Sequence, residues 1–214
     1  RVVFDSNRIH LSNLTAEELP LALPHAVPEY TTALLTSPYT TDTTEVTGNT
    51  IAIDTTGLKT VVAVGVDVGV GFSSQQVLRV QYNTLTSAEE GGCTGSCVGV
   101  RLGHSTKISG SGTALEISSN TININSTNAT AVGVDMWSGP GHRLSNPGEV
   151  VSTTIDDWGQ LSIVGNVITA SSDGEEAQGV YQRHLITAKN SGAFNISDNT
   201  VVLEGTAIRA YGIG

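Results

Sequence analysis

Residues 114–124 read Ala-Leu-Glu-Ile-Ser-Ser-Asn-Thr-Ile-Asn-Ile, and residues 131–136 read Ala-Val-Gly-Val-Asp-Met. Leu115 and Ile117 alternate with Glu116, which is the two-residue period of a strand with one apolar face. Asn120 is expected to turn the chain, because asparagine tolerates the left-handed backbone that a tight corner needs. Ile122 and Ile124 restart the alternation in a second strand. After a variable stretch, residues 131–136 form a third.

The same frame recurs along the chain. Asparagine returns at Asn7, Asn49, Asn83, Asn120, Asn166 and Asn199, at intervals of 33 to 46 residues. An apolar-x-apolar triplet precedes it: Val2/Phe4, Leu78/Val80, Leu115/Ile117, Leu161/Ile163 and Phe194/Ile196, with Thr44/Val46 as the weakest copy. An aliphatic residue stands two places after it, at Ile9, Ile51, Leu85, Ile122, Ile168 and Val201. A glycine followed by Val or Ile comes 13 or 16 residues after five of the six asparagines, at Gly65, Gly99, Gly133, Gly179 and Gly212. Fixed landmarks at such a period mark a repeat architecture.

Three short strands per repeat, each stacked on its equivalent, predict an all-β fold: a right-handed single-stranded parallel β-helix of about five to six coils. No repeat can bury its apolar face alone, so the core becomes a stack of Leu, Ile and Val. Asn49, Asn83, Asn120, Asn166 and Asn199 would form a ladder at one corner, each amide bonding the next. One domain over residues 1–214 suffices. Segments 12–43 and 137–158 read as inserted loops, the first with a short helix starting at Thr15 and limited by Pro20, Pro24 and Pro28. The chain is expected to be part of a larger repeat protein, its ends covered by flanking repeats or by self-association.

Charged residues make up 14% of the chain, against about 25% on average. The formal net charge of −10 repels a phosphate backbone, and the 10 Lys and Arg form no stripe, so nucleic acid is not an expected partner. No apolar run approaches the roughly 18 residues of a membrane span, so this stretch is not expected to insert directly. Cys93 and Cys97 lie in Gly-Gly-Cys-Thr-Gly-Ser-Cys, a loop suited to a small disulfide and to an oxidising compartment. Sequons fall at Asn13, Asn125, Asn128 and Asn195, with Asn125 and Asn128 placed in a variable loop.

The search for chemistry yields little. Gly139-Pro-Gly-His142 with Asp156-Asp157 resembles the Gly-His motif and paired aspartates of polygalacturonase-type glycosidases. The order is reversed, however, and the family's other elements are missing. Asp173, Glu175 and Glu176 lack the alternating oxygens of a calcium loop. His10, His25, His104, His142 and His184 make no ligand pair. Threonine fills four of the six outward positions after the asparagine (Thr50, Thr84, Thr121, Thr200), but only Thr84 and Thr86 complete the Thr-x-Thr pair of a lattice-matching face. No catalytic residue, metal or cofactor is expected.

Residues 114–124 with 131–136, Leu161 to Asn166 with Gln178 to Val180, and Phe194 to Asn199 with Tyr211 to Ile213 resemble the repeats of very large trypanosomatid surface proteins of the dispersed gene family. The general style is shared with bacterial autotransporter passengers and chlamydial polymorphic membrane proteins, whose Gly-Gly-Ala motif is missing here. The resemblance implies a cell-surface or secreted location and an adhesive role, and the contrast between regular strands and irregular loops puts the contact with a host protein or glycan on the variable loops. It brings no catalytic residues. The alternative is a polysaccharide-cleaving or polysaccharide-binding protein of the same fold.

Overall fold

A computed structural model describes residues 1–11, 30–36, 43–54, 62–68, 75–87, 93–102, 107–136, 153–182 and 186–205. Among them the chain is all β, without a helix, and every strand pairing is parallel. The first sheet has six strands, Val2–Asp5, Thr43–Thr47, Val77–Gln81, Ala114–Ser118, Gln160–Val164 and Ala193–Ser197, in that spatial order. The second also has six: Arg8–Leu11, Thr50–Ile53, Thr84–Ser87, Thr121–Ser126, Val167–Ser172 and Thr200–Gly205. The third contains Tyr30–Thr36, Val62–Val68, Cys97–Leu102, Ala131–Asp135 and Ala177–Tyr181. In each sheet, neighbours are equivalent strands of consecutive repeats.

Register follows the sequence frame. Leu78 pairs with Leu115 and Leu115 with Leu161, and all three are fully buried. Leu85, Ile122 and Ile168 align likewise in the second sheet and face the same apolar cluster. Burying one such side chain stabilises by about 1.5–3 kcal/mol, so repetition alone assembles the core. The outward neighbours Glu116 and Asn123 remain at least partly exposed.

Several expectations need correction. The left-handed corner residue is not the asparagine but the one before it: Ser6, Gly48, Tyr82, Ser119, Gly165 and Asp198 have φ of 54°, 64°, 55°, 55°, 67° and 57°. Segment 12–43 is not all insertion, because Tyr30–Thr36 is the third strand of the first repeat. It escaped the glycine landmark because Ala33 stands there, between Thr32, paired with Val64, and Leu34, paired with Val66. A fourth sheet was not foreseen. Its strands are Lys107–Ser109, Thr153–Asp156 and Ile186–Ala188, and the second of them falls within 137–158, read as an inserted loop. The helix expected at Thr15 and the landmark Gly212 lie outside the described residues.

The glycine landmark has a packing cause. A Cβ on Gly99 would meet Ile122 Cγ2 at 2.5 Å, one on Gly133 would meet Ile168 Cγ2 at 2.3 Å, and one on Gly179 would meet Val201 Cγ1 at 2.3 Å. The third sheet thus lies against the second with no room for a side chain, so only glycine fits. The third sheet's strands Val62–Val68, Cys97–Leu102 and Ala131–Asp135 are also buried on both faces. Val62, Val64, Val98 and Val132 form a small second cluster behind it, with Tyr181 packed alongside.

Candidate functional site

The asparagines are the most completely bonded polar groups of the fold. Asn120 Nδ2 donates to Asn166 Oδ1 at 3.0 Å and to the Val80 carbonyl at 2.8 Å. Its Oδ1 accepts from the N–H and the Nδ2 of Asn83, at 3.0 and 2.9 Å. Asn49, Asn83 and Asn166 repeat the pattern, and the ladder runs from Asn7 to Asn199. Each interior amide is buried and fully satisfied, which is what such a position requires. This constellation ties each repeat to the next.

Cys93 and Cys97 are disulfide-bonded and buried, and the Cys93 N–H donates to the Asn125 carbonyl at 2.9 Å. Asn125 therefore lies in the strand Thr121–Ser126, not in a variable loop, and its N–H donates to Ser87 Oγ at 2.7 Å. Asn128 is exposed on the bend that follows, Asn195 is exposed on the first sheet, and Asn13 lies outside the described residues.

The aspartate pair is divided by its surroundings. Asp156 is buried, accepts from Asn190 Nδ2 at 2.7 Å and from the Asp157 N–H at 2.9 Å, and lies 3.5 Å from Lys189 Nζ. Partial burial raises its pKa, but these three donors together outweigh that and hold it below the ordinary 3.8. Asp157 is exposed in the adjoining turn. His142, the proposed companion of this pair, falls outside the described residues, as do His25, His104 and His184. Glu175 accepts from Thr130 Oγ1 at 3.0 Å and Glu176 from Gln178 Nε2 at 2.7 Å. Among the described residues no group of three or more His, Cys, Asp or Glu is placed to hold a metal.

Two arrangements were not read from the sequence. On the third sheet Asp67, Arg101 and Asp135 align in neighbouring strands, and all three are buried (6%, 2% and 1% exposed), with Arg101 ion-paired to Asp67. Desolvation offsets much of the attraction within a buried ion pair, but removing either partner would leave the other charge buried and uncompensated. On the first sheet, the outer face carries Glu45, Arg79, Glu116 and Ser162 in register. Arg1 and Arg79 pair with Glu45 at 2.5 and 3.4 Å, and Arg79 with Glu116 at 3.4 Å. The hydrogen bond from Arg1 is the main influence on Glu45, opposed by burial, and the net effect lowers its pKa. Two aromatic residues flank this face. Tyr82 directly follows the strand Val77–Gln81, and Trp158 lies two residues before Gln160–Val164; each is 66% exposed.

No family model, curated protein or solved structure matches the chain. No helix among the described residues is long and apolar enough to cross a membrane.

Proposed function

We propose that the four parallel sheets wind as a right-handed parallel β-helix, and that this column is a non-enzymatic binding scaffold, cell-surface or secreted, of the kind seen in the trypanosomatid dispersed gene family. The observation that carries the reading is the unbroken ladder from Asn7 to Asn199, formed at one corner of equivalent parallel strands. It supports a rigid body whose repeats differ mainly in the lengths of their connections, and binding residues concentrate on connections held by rigid scaffolds. The Cys93–Cys97 bridge favours an oxidising compartment. The partner is a host protein or glycan.

Deletion of 138–151 tests the loop assignment while sparing Thr153–Asp156, whose Ile155 is in the core. Adhesion to host cells or extracellular matrix should be lost, with the thermal midpoint unchanged. Undiminished adhesion by a folded variant would remove this segment from the proposal.

A further inference from the structure

The corner before each asparagine makes the same backbone demand six times, and five repeats meet it with Ser, Gly, Ser, Gly and Asp. The sixth uses Tyr82, at φ 55°. A bulky residue in the left-handed region is a true outlier, disfavoured by its own Cβ. It is not offset by packing, since the side chain is 66% exposed. Trp158 repeats the anomaly at φ 67°, also 66% exposed, just ahead of Gly159. Where a local rule is broken without structural return, function is the usual reason.

We infer that Tyr82 and Trp158 are stacking platforms for an extended, uncharged polysaccharide lying across the outer face of the first sheet. Both are aromatic side chains exposed to solvent. They stand near opposite ends of the strands and two strands apart, so the separation is about 20 Å along the sheet and about 10 Å across it. Aromatic faces are negative and attract the polarised C–H edges of a sugar ring. The strip between them offers amides and a hydroxyl to sugar hydroxyl groups, from Gln81, Gln160 and Ser162, with buried Ser118 beneath Gln81. Gln81 Nε2 already donates to Ser118 Oγ at 3.0 Å, and Ser118 Oγ to Glu116 at 3.1 Å, which sets their orientation.

Charge chooses the class of polymer. Arg1 and Arg79 together offset Glu45 and Glu116, so the strip is balanced, and the chain's −10 repels acidic glycans. A flat face suits a long chain, whereas small molecules favour concave sites. The inference rests on the ligand-binding role proposed above but puts the contact on a sheet face instead of a loop.

The test is affinity electrophoresis in gels containing dextran, laminarin, mannan or galactomannan, with polygalacturonate and heparin as acidic counterparts. At least one neutral polymer should retard the protein and neither acidic one should. Tyr82→Gly and Trp158→Gly should each weaken binding about tenfold, as truncating an interface anchor does, and raise or preserve the thermal midpoint by relieving the backbone. Val202→Ala, exposed on the second sheet, should change neither readout. The inference is overturned if no neutral polymer retards the chain, if the acidic ones retard it equally, or if both Gly variants bind as the parent does. A chain that adheres through 138–151 yet ignores every polymer keeps the loop proposal and ends this one.

Discussion

Asn120 and its neighbours show how much one side chain can carry when it is both donor and acceptor in a dry corner. Replacing Asn120 by Ala removes the acceptor for the N–H and Nδ2 of Asn83 and the donor to the Val80 carbonyl. Leaving buried donors unpaired costs about 1–3 kcal/mol each, so Asn120→Ala should lose about 2–4 kcal/mol in a urea melt. Three residues on, exposed Asn123→Ala should lose under about 1 kcal/mol, and buried Ile122→Ala about 2–5. Similar losses at positions 120 and 123 would contradict the ladder, since one amide is enclosed and the other faces solvent. The sequence reveals that the asparagine recurs and that its amides can stack, but it also assigns it the left-handed turn, which is another residue's task. The asparagine's φ is ordinary, and the bend belongs to the residue before it, where Ser, Gly, Asp and Tyr share no signature of their own.

At the scale of the strand, the glycine of the third sheet is where the sequence and the packing meet most closely. Gly133→Ala would drive a methyl group into Ile168 Cγ2 and the Gly179 carbonyl, 2.3 and 2.8 Å away. Overpacking of that kind costs about 1–3 kcal/mol. Ile168→Ala removes the obstructing methyl at a cost of about 2–5 kcal/mol on its own. The double variant should therefore be more stable than the sum of the two losses, by more than the roughly 0.5 kcal/mol within which independent sites add. Strict additivity would mean that the two groups do not compete for one space. Strands with alternation and a landmark were legible; Tyr30–Thr36 was not, because Ala33 replaces the glycine. The fourth sheet was illegible for a different reason. Lys-Ile-Ser, Thr-Thr-Ile-Asp and Ile-Thr-Ala are too short to show a period, and they share only an inward isoleucine in two cases, Ile108 and Ile155. Tyr82 was in principle visible as the one aromatic in a column of turn formers, whereas Trp158 follows a strand that left no pattern to depart from.

Over the whole molecule, burial is graded along the direction in which the repeats stack. Val80, Ile117 and Ile163 are fully buried, while their equivalents Phe4 and Ile196 are only partly so. In the second sheet Ile122 and Ile168 are enclosed, but Ile9 and Val201 are not. Each strand rests mainly on the one before and the one after, so local opening needs only neighbouring contacts to break. Repeats with fewer covered neighbours should open at lower free energy. Amide exchange of the 214-residue chain should be slowest around Leu78 to Val80, Leu115 to Ile117, Ile122 to Ile124 and Leu161 to Ile163. Residues of Val2–Asp5 and Thr200–Gly205 should exchange at least about tenfold faster, the factor that each 1.4 kcal/mol confers. The third-sheet strands Val62–Val68 and Cys97–Leu102, covered on both faces, belong with the slow group even though they lack the asparagine ladder. Uniform protection from Val2 to Gly205 would show that opening is all-or-none, and the graded burial would then have no energetic consequence.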